Sequence, residues 1–266
     1  MSAYGSLAEL KVPPRSNGIP ATIGTHRGLY TMKNLCGIRP TGKLHIGHYF
    51  SVIKPAREND CEILIATFHA PSEDAKAFFN ELVQYASVSR IIFQEDVFDA
   101  RLYFRLLELA PIGELSLMTQ YKSGKRNAHL LTYPVLMAHD VAGYDNVYVG
   151  EDQRQHLEFA RRLLRKYNAA QDNDIVSIPN AQIVGGRVMS LIDPTKKMSK
   201  SEPNGCLFLS DAPDVKRKKI RRAVMNEAGE KNIRFLFNEF VGGEYPTGNN
   251  ALAKDMLSVA LVGPWG

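Results

Sequence analysis

The run Cys61-Glu62-Ile63-Leu64-Ile65-Ala66-Thr67 constrains the fold more than any other stretch of this chain. It is compact and apolar, the kind of strand that a parallel sheet buries on both faces. Three other short runs read as strands, 34–38, 91–93 and 146–149, and 182–184 is a further short apolar run. Helical patterns separate them, from Ser72 or Asp74 to about 89, at 99–109 up to Pro111, through Pro134 to about 143, and at 152–167. From Leu44 the pattern is that of the first turns of a helix, which Pro55 stops or kinks. Strands alternating with helices imply βαβ units and an α/β, Rossmann-like parallel sheet. Such a sheet binds ligands beyond the carboxyl ends of its strands, where backbone amides and helix N-termini face a crevice.

The 266 residues, 44% hydrophobic and 23% charged, suffice for one large core or one and a half. A net charge of +5 permits a polyanionic partner without requiring one. Cys36, Cys61 and Cys206 are far apart and odd in number, which argues against a disulfide framework or a zinc site and for reduced thiols in a cytoplasmic protein. No apolar run has the length to cross a bilayer, and the start of the chain lacks the pattern of a signal peptide. Residues 1–33 read as an N-terminal extension, with Met32-Lys33-Asn34-Leu35 resembling a second beginning. Residues 34–205 read as the main domain and 206–266 as a small helical region. That region opens with a basic helix at 212–225 and continues as two helices around Tyr245-Pro246-Thr247-Gly248.

Two polar motifs sit at loops of this α/β pattern. Thr41-Gly42-Lys43-Leu44-His45-Ile46-Gly47-His48 follows the first strand. Its histidines, three apart, share a helical face, and Gly47 leaves room for a flat group such as an adenine or ribose to approach the backbone. The imidazoles have the chemistry to donate to phosphate oxygens as charge grows in a transition state. Taken alone, the pair reads equally as structural histidines or a metal pair. Lys196-Lys197-Met198-Ser199-Lys200-Ser201 lies on a polar loop. Two lysines three apart there can neutralise a pyrophosphate leaving group, and taken alone the loop is an ordinary solvated basic one. Tyr121 to Arg126 reads as a further glycine- and lysine-bearing loop.

Together the two motifs are the HIGH and KMSKS pair of class I aminoacyl-tRNA synthetases, which the chain resembles from about residue 35 to 225. The pocket helix Leu131-Thr132-Tyr133-Pro134-Val135-Leu136-Met137-Ala138-His139-Asp140, the segment Val149-Gly150-Glu151-Asp152-Gln153 and the surroundings of KMSKS are similar to those of the tryptophanyl type. The resemblance implies that the chain joins tryptophan to AMP, using ATP with Mg2+ as the substrate complex, and passes the amino acid to tRNA(Trp). It also implies a homodimer. His45, His48, Lys197 and Lys200 are implied as catalytic. ATP binding is implied for Arg39, Thr41, Gly47, His48, Gly150, Asp152, Val188, Lys197, Met198, Ser199 and Lys200. Amino-acid binding is implied for Leu35, Gly37, His69, Tyr133, Met137, Asp140, Val149 and Gln153, with Asp140 accepting the indole N–H. No protein metal ligand is expected.

The sequence departs from the family in places. Arg39 stands where bacterial members commonly have glutamine, His139 replaces a small residue beside Asp140, and Ala66-Thr67-Phe68-His69-Ala70 loses a carboxylate. The chain also stops short of a full tryptophanyl enzyme, so activation is better supported than tRNA charging. Three rivals follow: activation of tyrosine or another aromatic amino acid, a synthetase-like paralogue that binds ATP, amino acid or RNA without charging, and a generic nucleotidyltransferase. Asp140 as a surface carboxylate, and 216–222 as a plain solvated helix face rather than a tRNA-steering surface, are the simpler structural readings.

Overall fold

Five strands, β1 (Asn34–Ile38), β2 (Cys61–Ile65), β3 (Arg90–Phe93), β4 (Asn146–Gly150) and β5 (Asn180–Val184), form one all-parallel sheet in the order β3-β2-β1-β4-β5. The computed structural model describes residues 32–69, 72–88, 90–124, 126–171 and 175–261. The extension read at 1–33 lies, up to residue 31, outside them. All of the described residues belong to one unit, Met32–Gly266. The α/β parallel sheet read from the sequence is the one observed.

The chain winds outward from β1 to β3, then returns to the other side of β1 with β4. That reversal leaves β1 and β4 as neighbours at a switch point, where a crevice opens beyond the strand ends. The two-residue period of the strands sorts their side chains onto two faces. Leu35, Leu64 and Val147 join one buried cluster with Leu106, Val135 and Leu157. Cys36, Ile38, Ile63 and Ile65 face the opposite way, against Ile53, Phe78 and Leu82. This is why the central strands lack the apolar–polar alternation of a half-exposed sheet.

Among the described residues, twelve α-helical segments accompany the sheet. α1 (Ile46–His48) runs through a π-helical turn (Tyr49–Ile53) into α2 (Lys54–Glu58). The sequence reading of a stop or kink at Pro55 is refined here. The proline falls in the first turn after the wide turn, and the helix continues to Glu58. α3 (Ser72–Ala86) returns to β3. Then come α4 (Gln94–Val97), α5 (Ala100–Leu109), α6 (Ile112–Ser116), α7 (Thr119–Ser123) and α8 (Ala128–Val141). α7 replaces most of the loop expected at 121–126, because Thr119 and the residues after it close a helical turn before Gly124. α9 (Arg154–Ala170) follows β4, and α10 (Pro213–Arg221), shorter than the 212–225 expected, precedes α11 (Glu227–Phe240) and α12 (Asn250–Ala260). Among the described residues no helix is long and apolar enough to cross a membrane.

The last three helices share a core with the strand-to-helix region: Ile233, Leu236, Phe237 and Leu257 pack with Ile46, Phe50, Val188 and Met198. One side chain ties α11 to the loop before KMSKS. Buried Asn232 accepts from the Met189 N–H at 3.0 Å and donates to the Met189 carbonyl at 2.9 Å. Asn232→Ala leaves both backbone groups without their partner. The expected cost is about 2–4 kcal/mol, since each buried polar group left unpaired costs its desolvation. Urea unfolding with an unchanged denaturant slope is the measurement.

Candidate active site

Pairing between β1 and β4 runs from Asn34–Asn146 to Cys36–Tyr148 and stops. Beyond it the strand ends Gly37, Ile38, Val149 and Gly150 line a cavity of about 420 Å3. A Cβ on Gly37 would meet no protein atom within 4 Å, so the missing side chain contributes to the open space. α8 walls the cavity with Tyr133, Met137, Asp140 and Val141, at spacings of four, three and one that share a helical face. Leu35, Val52, Leu64, Ala66 and Val147 add to the apolar part of the lining.

Asp140 is the acid in that wall. Its Oδ2 accepts from Gln94 Nε2 at 2.6 Å, and its Oδ1 lies 3.1 Å from His139 Nδ1. The Asp99 backbone N–H donates to His139 Nε2 at 2.8 Å, so that nitrogen is the acceptor and Nδ1 carries the proton given to Asp140. Gln94 is held in turn by the Phe68 N–H on its Oε1 at 3.1 Å. Burial raises the Asp140 pKa, opposed by His139 and Gln94. The surface-carboxylate reading of Asp140 does not hold, because its side chain is only 11% exposed.

Beside it, Tyr133 donates to Gln153 Oε1 at 3.3 Å, and Gln153 Nε2 donates to Asp152 Oδ2 at 3.1 Å. Gly150 permits the Asp152 carboxylate to fold back against the strand end, since a Cβ there would lie 2.7 Å from Oδ1. Arg39 projects over the Tyr133 ring, 4.9 Å from its centre, and His156 meets the same ring edge-on at 5.2 Å.

Across the crevice, the two histidines of α1 cap their own helix. His45 Nδ1 accepts from the Gly47 N–H at 3.0 Å, and His48 Nδ1 accepts from the His45 N–H at 3.1 Å. Because amide N–H groups only donate, both rings carry their proton on Nε2. Burial, then the nearby lysines, hold His45 down to about 4. Burial, His45 and the lysines hold His48 well below the ordinary value. Both are therefore neutral donors near pH 7. The space beside Gly47, read as room for a ligand, is taken by the His45 ring, whose Cε1 would be 2.6 Å from an added Cβ.

KMSKS closes a small hairpin. The Met198 N–H donates to the Val188 carbonyl at 3.0 Å and the Ser190 N–H to the Lys196 carbonyl at 2.9 Å. Buried Met198 is the anchor, and its sulfur accepts from the Leu207 N–H at 3.5 Å. Val188 lies buried beneath the hairpin, and Ser199 bonds Ser201 at its exposed end. Immediately downstream, the Ile46 N–H donates to the Leu207 carbonyl at 2.9 Å and the Leu209 N–H to the Leu44 carbonyl at 3.0 Å. These bonds bring two motifs about 150 residues apart into register. Lys200 then donates to the carbonyl and hydroxyl of Thr41, over Gly42, whose φ of +57° suits a glycine. Burial lowers the Lys200 pKa.

Of the residues named from sequence, Leu35, Gly37, Arg39, Thr41, His48, Tyr133, Met137, Asp140, Val149, Gly150, Asp152, Gln153 and Lys197 line the cavity. His45, Gly47, Val188, Met198, Ser199 and Lys200 stand behind or beside it. The side chain of His69 lies outside the described residues. Gln94, Gln120 and Ser51 were not anticipated. Gln94 sits in a short apolar-to-acidic stretch that offers no motif, and Gln120 in a stretch adjoining an expected loop. Groups of three or more histidine, cysteine or acidic side chains placed to hold a metal ion are absent among the described residues.

The three lowered histidines set a pH dependence. His45 and His156 are held to about 4 and His48 lower still, in each case chiefly by burial. The unfolded chain protonates them near pH 6.5. Stability is thus full above about pH 6.5 and lost as pH falls toward about 4, with each group adding a slope of up to ~1.4 kcal/mol per pH unit. Urea unfolding from neutral to acidic pH is expected to show the decline. His45→Asn, which keeps a capping acceptor, is expected to show a smaller slope.

Comparison with known proteins matches residues 81–246 to the family described as tRNA synthetases class I (W and Y). A tryptophan–tRNA ligase of Bacillus anthracis is 35% identical over 245 residues, 77% of this chain and 74% of that protein. The solved tryptophanyl-tRNA synthetase of Mycoplasma pneumoniae superposes with a TM-score of 0.70 at 27% identity, over 88% of this chain and 85% of that one. The Campylobacter jejuni tryptophanyl-tRNA synthetase, solved with ADP and tryptophan, shares the fold at a TM-score of 0.64 and 24% identity, over 88% of each chain. The family match over most of the chain, with these relatives, shows that the chain belongs to the class I (W and Y) tRNA synthetase family, on its tryptophanyl branch.

Proposed function

We propose that the chain activates tryptophan with ATP and transfers it to tRNA(Trp), acting as a homodimer. The observation that carries this reading is one cavity with a buried carboxylate in an apolar wall and neutral imidazole and lysine donors across the crevice. The apolar wall and Asp140 receive the side chain, with the carboxylate accepting a ring N–H. Tyr133 and Gln153 hold the ammonium and carboxylate ends. The adenosine part lies along Thr41, Gly150 and Asp152. The amino-acid carboxylate oxygen attacks the α-phosphorus of ATP, the bond from that phosphorus to the α,β-bridging oxygen breaks, and pyrophosphate leaves, carrying the β- and γ-phosphates with the bridging oxygen.

No protein nucleophile takes part. Catalysis consists of placement and of donors aimed at growing negative charge. His45 and His48 keep Nδ1 for the backbone and offer Nε2–H to phosphate oxygens. Lys197 is exposed beside the buried Met198, while Lys200 is seated on Thr41. A second reading, tyrosine activation, is supported by the same carboxylate, since a phenol O–H also donates to Asp140.

The test is ATP–pyrophosphate exchange with each of the twenty amino acids. Exchange with tryptophan alone is expected; exchange with tyrosine alone moves the substrate, and none at all defeats the reading. Lys200→Ala is expected to lower exchange by ~10²–10³-fold, as for loss of a charge-stabilising donor. Gly37→Val adds a Cβ that meets no protein atom within 4 Å and carries two methyl groups beside the cavity that Gly37 lines. It is expected to raise the tryptophan KM at least ~10-fold with the unfolding midpoint unchanged, because two methyl groups exclude substrate from the space they fill.

A further inference from the structure

The Asp140 carboxylate does not hang freely in the cavity. Each of its oxygens accepts one bond from the protein, Oδ2 from Gln94 and Oδ1 from His139. Both donors are buried, Gln94 at 0% exposure and His139 at 5%. Each is locked from behind by a backbone amide, Gln94 by Phe68 and His139 by Asp99. Phe98 packs against the His139 ring at 4.8 Å. A bond from the Asp99 amide needs a lone pair on His139 Nε2, which the imidazolium lacks. The histidine is thereby held as the Nδ1–H tautomer that donates to Asp140.

We propose that Gln94 and His139 are positioning residues that fix the plane of the Asp140 carboxylate and so determine which side-chain donor the amino-acid pocket accepts. This rests on the proposed reading of the site.

Rotation of the carboxylate about its Cβ–Cγ bond breaks both protein bonds at once. A carboxylate accepts about four hydrogen bonds. Two are occupied, and the others point along directions that the protein sets. A ring N–H is rigid in the plane of its ring and bonds well only when ring and carboxylate are both oriented. A phenol O–H turns about its C–O bond and tolerates a misaligned acceptor. A fixed carboxylate therefore favours the rigid donor, and a loosened one loses that preference. The charge on Asp140 depends on the same two residues. His139 faces it from α8 and the neutral Gln94 amide from α4, while the Asp99 carboxylate is turned to the N-terminus of α5, where it accepts from Arg101 and Leu102. Removing either donor to Asp140 leaves burial less opposed, which raises its pKa further.

The experiment compares the full-length wild type with Gln94→Leu, His139→Leu and His139→Asn, the last keeping an amide donor at the Nδ1 position. Pyrophosphate exchange is measured with tryptophan, with tyrosine, and with the tryptophan analogue whose ring N–H is replaced by sulfur. In the two leucine variants the preference for tryptophan over the analogue is expected to fall at least ~10-fold, by loss of an oriented buried acceptor. The acid limb of kcat/KM for tryptophan is expected to move up by roughly one pH unit. The KM for ATP and the unfolding midpoint are expected to stay near wild type, and His139→Asn to recover most of the preference. Variants that keep the wild-type preference and acid limb overturn the positioning role. So does a matching rise in the ATP KM, which marks general disruption. A wild type that does not activate tryptophan defeats the proposed substrate instead, and is seen before any variant is compared.

Discussion

The site depends on two backbone hydrogen bonds, between Ile46 and Leu207 and between Leu209 and Leu44. They join the start of the first helix to the segment that leaves the KMSKS hairpin. Without them the two motifs would belong to separate parts of the chain. With them, Met198 is buried under the same cluster as Ile46 and Phe50, and Lys200 reaches the Thr41-Gly42 turn. The last three helices matter to the site for the same reason, since Phe237, Ile233 and Asn232 support the hairpin from below. Packing far from the cavity and charge within it are linked through one short stretch of extended backbone.

Much of this arrangement was legible in the sequence because the signals were local. The apolar run at 61–67 reads as a doubly covered strand, and the observed strand, which ends at Ile65, sends its side chains into two buried clusters. The positions of HIGH after β1 and of the Gly150 segment after β4 followed from the strand assignments. Tyr133, Met137 and Asp140 were implied by the family resemblance of their helix, and all three line the cavity.

Other features were not legible because they depend on contacts between distant residues. Nothing in Phe93-Gln94-Glu95 marks Gln94 as a partner of a residue 46 positions later. His139 was noticed only as a departure from the family. Its use of one nitrogen for Asp99 and the other for Asp140 appears once α5 is packed against α8. The role of Gly47 was misread for a similar reason. Its lack of a side chain was assigned to a ligand, whereas a neighbouring histidine fills the space. The continuation of the helix past Pro55 needed the π-helical turn, which no local propensity announces.

The capping of α1 by its own histidines has a further consequence. Their Nδ1 atoms are committed to amides, so His48, which lines the crevice, and His45 beside it are dipoles and not ions. Positive charge there comes from the lysine side chains of the KMSKS loop and from Arg39. An anion entering the crevice therefore meets N–H dipoles on this side and not a pair of imidazolium charges. The polarity of this half of the site is insensitive to the modest pH changes that would switch a pair of ordinary histidines on and off.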